Sequence, residues 1–114
     1  MIKKSFGANL TTTEINLYTV PQGKKAEWRM LYATNLGSAN KKFNARIYKA
    51  ADDIHLQMFD EFIVNTKDFF HIGGDQFEFV MLDEGDIIKV SGETDNDITL
   101  LVSVIEENVI IQGG

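Results

Sequence analysis

What this chain lacks narrows it first. Its 114 residues include no cysteine, one proline, one tryptophan and two histidines. Without cysteine there is no disulfide and no thiolate metal site, which fits a protein made in a reducing compartment. His55 and His71 stand at no metal-ligand spacing, so the histidine cluster of a cupin-type metal barrel cannot be assembled. The Gly-x-Ser-x-Gly elbow and the phosphate-cradling glycine loop are missing too. No apolar run approaches the ~20 residues of a membrane-crossing helix. The opening "MIKKSFGANL" has the lysines of a secretion signal without its apolar stretch. The expectation is a protein that stays where it is made unless it leaves inside a larger particle, with no membrane partner, no cofactor and no enzymatic activity.

What is present suits one folded domain spanning 1–114. The apolar fraction is 44% and the charged fraction 25%, ordinary values for a globular chain. A domain of this size buries about 65% of the surface its unfolded chain exposes, enough for one core. The net charge of −6 conceals an asymmetry. Residues 1–50 carry nine Lys/Arg against two Asp/Glu, and residues 51–114 carry two against fifteen. Overall acidity argues against nucleic-acid binding, which rests on neutralising phosphates. Either strands from the two halves interleave and their charges mix, or a basic surface of one copy meets an acidic surface of the next.

Helix signals are scarce. Short β-branched or aromatic segments bounded by Gly, Asn or Asp predict strands at 14–20, 26–35, 42–50, 77–82, 86–92 and 98–107. "KFNARIYKA" sets Phe43, Ala45 and Ile47 against Asn44, Arg46 and Tyr48, as a half-buried strand does. The lone proline falls in Val20-Pro21-Gln22-Gly23, which reads as a turn with Pro21 second and Gly23 fourth. "DEGD" (83–86) and "SGETDND" (91–97) read as hairpin turns. The segment 51–65 admits a short helix or a strand, and "IHLQMF" followed by "FIVN" favours the strand. Strands spaced about ten residues apart indicate an all-β antiparallel sandwich, jelly-roll-like, of about eight strands.

Chemistry-bearing patterns are few. The acidic pairs Asp52-Asp53, Asp60-Glu61, Asp83-Glu84 and Glu106-Glu107 flank strands or occupy turns, where solvated charge is expected. "ETDND" (93–97) has oxygens at alternate positions like part of a calcium loop, without the twelfth-position glutamate. More telling are apolar residues on the wrong side of the last strand. If Ile98, Leu100, Val102 and Val104 point inward, Leu101 and Ile105 point out. With Val109, Ile110 and Ile111 behind them, they form a candidate self-interface. For a sugar-binding module, Trp28, Tyr32 and Tyr48 are the aromatics that neighbouring strands could align.

Two stretches, "LYTVPQGKKAEWRMLYATNLGSANKKFNARIYKA" and "VMLDEGDIIKVSGETDNDITLLVSVIEE", resemble a recurring layout of small tailed-phage virion proteins. The matching positions are Leu17 to Lys24, Asn35, Leu82 to Val90 and Ile98 to Glu106, within residues 15–107. Glu27 and Trp28, in a strand that is aliphatic in that layout, depart from it, as does the aromatic-rich 59–79 segment. The resemblance implies a β-sandwich displayed on a bacteriophage virion after synthesis in the host cytoplasm, commonly as a homotrimer. It implies no catalytic residues. The expected role is a capsid decoration, or cement, protein on the major capsid protein; a tail or fibre adaptor and a carbohydrate-binding module are the alternatives. Lysine pairs at Lys3-Lys4, Lys24-Lys25 and Lys41-Lys42 are the candidate particle contacts.

Overall fold

The computed structural model describes residues 2–73 and 80–109, and they are all strand, turn and loop, with no helix. Nine strands run in chain order: β1 (Ile2–Asn9), β2 (Ile15–Thr19), β3 (Lys24–Asn35), β4 (Lys41–Lys49), β5 (Ile54–Val64), β6 (Phe69–Gly73), β7 (Val80–Leu82), β8 (Ile87–Gly92) and β9 (Ile98–Asn108). Within the segment 51–65, Ile54–Val64 is strand, in agreement with the favoured reading, and 51–53 is turn. Two strands escaped the sequence pattern. β1 carries two lysines and a glycine instead of an apolar alternation, and β6 is short and ends in glycine. Of the strand predicted at 77–82, only its end, β7, lies within the described residues.

The strands pair in nested order, every pair antiparallel. β1 lies on β9, β2 on β8, β3 on β6 and β7, and β4 on β5. The chain is thus a long ribbon doubled back at the β4–β5 turn. Wrapping that ribbon brings β9 onto β3 and β8 onto β4. The result is two sheets, β1-β9-β3-β6 with β7 also on β3 (sheet A), and β2-β8-β4-β5 (sheet B). This is an antiparallel β-sandwich of two sheets.

Wrapping also changes what the turns do. The segments 83–86 and 91–97, predicted as hairpins, carry the chain from one sheet to the other instead. Local turn chemistry reverses the chain but does not choose the partner strand; the core between the sheets does. The proline turn is displaced by one residue from its predicted position. Its hydrogen bond runs from Lys24 N–H to the Pro21 carbonyl at 3.1 Å. Gly23 therefore stands third, with φ at 76°, a conformation open to glycine at little cost.

Both sheets turn their apolar faces inward. Trp28, Leu31, Leu100 and Val102 of sheet A meet Phe43, Ile47, Ile88 and Val90 of sheet B, all buried. An aromatic cluster extends the core toward β5 and β6. Phe62 lies 4.4 Å from Phe70 and 5.6 Å from Phe43 between ring centroids. Phe59 and Phe62 both pack against the core although three residues apart. A register shift opposite Phe43 to Ala45 and a positive φ at Glu61 absorb the odd spacing. Phe77 and Phe79 lie outside the described residues.

Two buried polar side chains close the ends of the sandwich. Asn35 donates to the carbonyls of Ala39 and Val64, each at 2.9 Å, and accepts from Gly37 N–H at 2.8 Å. At the other end Asp86 accepts from Asp83 N–H at 2.8 Å, Ala50 N–H at 3.0 Å and the Lys49 ammonium. Burial alone would raise the Asp86 carboxyl pKa; Lys49 and the two amides outweigh it and hold it below the ordinary value.

Candidate functional site

The outer face of sheet A leaves apolar side chains uncovered, as β5 of sheet B does with Ile54, Leu56, Met58 and Ile63. Leu101 is 42% exposed at the centre of β9, paired with Gly7 on one side and Tyr32 on the other. Next along the same row, Tyr32 faces His71 on β6. Phe69, 56% exposed, stacks on Tyr32 with centroids 5.3 Å apart and planes within 7°. The His71 ring stands 5.6 Å from Tyr32. Ile105, half-buried, shares this face with Lys3 on β1 and Glu27 on β3. Beyond Glu27 lies exposed Met81 of β7.

This face exists because of a bulge. Strict alternation from Trp28 would place Met30 and Tyr32 on its own side of β3. Between Trp28 and Met30 the β3–β9 register shifts by one residue. Trp28 thus points into the core while Tyr32 points out. Trp28 is fully buried, and its indole N–H donates to the Met30 carbonyl at 3.0 Å.

That geometry corrects the aromatic platform expected from Trp28, Tyr32 and Tyr48. Trp28 is core, and Tyr48 lies on the outer face of sheet B, where its hydroxyl donates to Asp53 at 2.7 Å. The three rings therefore occupy three different places. Phe69 and His71, the actual neighbours of Tyr32, went unrecognised because β6 was not read as a strand.

Of the residues expected at a self-interface, Leu101 and Ile105 lie together on the outer face of sheet A. Val109 is exposed beyond the end of β9, where its N–H donates to the Gly23 carbonyl at 2.9 Å. It belongs to the end of the sandwich rather than to the Leu101 face. Ile110 and Ile111 lie outside the described residues.

The six lysines do not form one surface. Lys3, Lys4, Lys24 and Lys25 cluster where β1 and β3 begin and β9 ends. Lys41 and Lys42 open β4 at the opposite end of the molecule, beside Val64 and Gly92. Several already have partners. Lys4 reaches Glu106 at 3.0 Å, Lys24 bonds the Asn108 side chain, and Lys41 stands 3.8 Å from Asp97. Lys25 and Glu107, both about half exposed, are 3.9 Å apart, a contact of small energetic consequence. Lys3, with no ion pair among the described residues, and Lys25, held only by that contact, are the most available cations at their end.

Glu106, 1% exposed, is the buried carboxylate that sequence reading passed over as half of a solvated pair. The Tyr18 hydroxyl of sheet B donates to its Oε2 at 2.6 Å, across the core from sheet A. Its Oε1 meets the Lys4 ammonium, whose approach is close enough for an ion pair though not aligned as a hydrogen bond. Burial pushes the Glu106 carboxyl up, but Tyr18 and Lys4 together hold it below the ordinary value. Burial, reinforced by Glu106, pushes the Tyr18 phenol up. The alternation of 98–106 could have pointed to Glu106, since it shares parity with Ile98 through Val104.

The oxygens of 93–97 are engaged within the protein. Asp95 accepts from Thr12 N–H at 3.0 Å and Asp97 from the Thr94 hydroxyl. Among the described residues no group of three or more His, Asp and Glu side chains is placed to share a metal ion. His55 and His71 stand on the outer faces of different sheets.

No family model matches this chain, and no curated protein matches it by sequence. Among solved structures the fold is similar to a chain in the acidic stable capsid structure of Helicobacter pylori bacteriophage KHP30. The TM-score is 0.50 at 11% identity, over 96% of this chain and 95% of that one. At such identity the likeness is one of fold. It runs nearly end to end in both chains.

Proposed function

We propose that the protein is a non-enzymatic structural component of a phage particle, and specifically a decoration protein that cements the capsid. The observation carrying this reading is the fold likeness to a chain of a phage capsid structure, over 96% of this chain and 95% of that one. The layout shared with small tailed-phage virion proteins points the same way. In this reading the sandwich is a rigid plate laid over a seam between coat subunits. Many copies, each making modest contacts, together hold the shell against internal pressure.

Two surfaces fit the two contacts such a role needs. The Ile105 end of the outer face of sheet A, with exposed Met81 beyond Glu27, suits contact between copies, as in a trimer. The end bearing Lys3 and Lys25 suits contact with an acidic coat surface. Reversing charge with Lys24→Glu and Lys25→Glu together is expected to lower occupancy on decoration-free heads of the phage that encodes the protein. Unchanged occupancy removes the lysine end from the account. Light scattering behind a sizing column is expected to give a trimer mass for the free protein, and Ile105→Lys is expected to reduce it to a monomer mass.

A further inference from the structure

A depression of about 500 Å3 lies over β1 and β9 on the outer face of sheet A, lined by Gly7, Ala8, Asn9, Tyr32, Thr99 and Leu101. It opens because Gly7 contributes no side chain to a row in which its neighbours are Leu101 and then Tyr32. One wall is aromatic and fixed. Phe69 stacks behind Tyr32 at 5.3 Å and His71 braces it at 5.6 Å, so the ring is held ready before anything binds. The Asn9 amide and the Thr99 and Tyr32 hydroxyls have no hydrogen-bond partner among the described residues.

We infer that this depression binds a neutral hexopyranose ring of a glycan, with Tyr32 as the stacking face and Asn9 and Thr99 as hydrogen-bonding groups. The chemistry matches on three counts. A pyranose has an apolar C–H face that packs on an aromatic ring, and Tyr32 supplies one. Its hydroxyls donate and accept, and an amide with two hydroxyls answers both needs. No charged side chain lines the depression, whereas two other surface depressions carry Lys3, Lys4 and Arg29, or Lys24, Lys25, Asp83 and Glu84. A neutral ligand is thus favoured here over an anionic or cationic one. The opening is broad enough for a ring that continues into a longer chain. The inference does not depend on the virion reading.

Amide chemical shifts of the full-length protein, followed during titration with methyl glycosides of glucose, galactose, mannose and N-acetylglucosamine, test it. The expected result is saturable shifts confined to 7–9, 32 and 99–101 with at least one of these sugars. Gly7→Leu places a side chain in the depression, where its Cβ meets the Leu100 carbonyl and Leu101 Cδ1 at 3.4 Å. Gly7→Leu and Tyr32→Ala are each expected to weaken binding roughly tenfold or more, while Tyr48→Ala, on the other sheet, leaves it unchanged. Absence of saturable shifts with all the sugars overturns the inference. So does equal affinity in a folded Gly7→Leu protein. Shifts at the same residues that follow protein concentration and ignore sugar would assign the depression to a second copy of the chain, which also overturns it.

Discussion

Glu106 joins elements that the chain order keeps far apart: Tyr18 on β2, Lys4 on β1 and its own strand β9. Its folded pKa is depressed, as are those of Asp86, bonded to Lys49, and Glu14, bonded to Arg46. A depressed carboxyl stabilises the fold fully above its unfolded pKa and progressively less as pH falls through the folded value. The melting temperature is therefore expected to hold steady from neutrality to about pH 4.5, the ordinary glutamate value, and to fall below it. Tyr18 gives the opposite sign. Its folded pKa is raised, so stability also declines as pH rises above the ordinary tyrosine value of 10.0. Glu106→Gln is expected to cost about 2 kcal/mol at neutral pH and to flatten part of the acid slope. Equal acid slopes in the two proteins, measured by thermal melts across pH, would remove Glu106 from this role. Gly23 makes a simpler test. Nothing lies within 4 Å of an added Cβ, so Gly23→Ala meets only the cost of its positive φ, about 1 kcal/mol in denaturant melts.

Single strands show which parts of the sequence could be read. β4 and β9 alternate cleanly, and their inward faces, Phe43-Ala45-Ile47 and Ile98 through Val104, are legible residue by residue. β3 is not. Its bulge at Arg29 reverses the parity between Trp28 and Tyr32, and no local residue pattern announces it, because bulges answer to the register of the partner strand. The aromatic platform failed for that reason. β1 was hidden for another. It is an edge strand whose Lys4 faces inward toward a carboxylate a hundred residues away, so no alternation survives in its sequence. That difference predicts dynamics. β1 covers one edge with mostly exposed side chains, while β3 and β9 lie inside sheet A. Hydrogen exchange is expected to be slowest in β3 and β9 and markedly faster in β1. Equal protection in all three would contradict this ranking.

Across the whole molecule, the lopsided charge of the sequence disperses on folding. Five of the seven ion pairs among the described residues join the basic first half to the acidic second: Lys4–Glu106, Lys25–Glu107, Lys41–Asp97, Lys49–Asp83 and Lys49–Asp86. The remaining two, Arg29–Glu27 and Arg46–Glu14, lie within the first half. Nested pairing makes this unavoidable, since β1 must meet β9 and β2 must meet β8. The charge asymmetry is therefore absorbed largely within one copy, which leaves the proposed contact between copies to apolar surface rather than to opposite charge. The central claim, a many-copy component of a phage head, is tested most directly by the protein composition of purified particles. Under that proposal, heads and tails of the encoding phage would be separated on a density gradient and their proteins quantified by mass spectrometry. The account predicts the chain in the head fraction in numbers comparable to the coat protein. Its confinement to the tail fraction, or its absence from the particle, would contradict that claim.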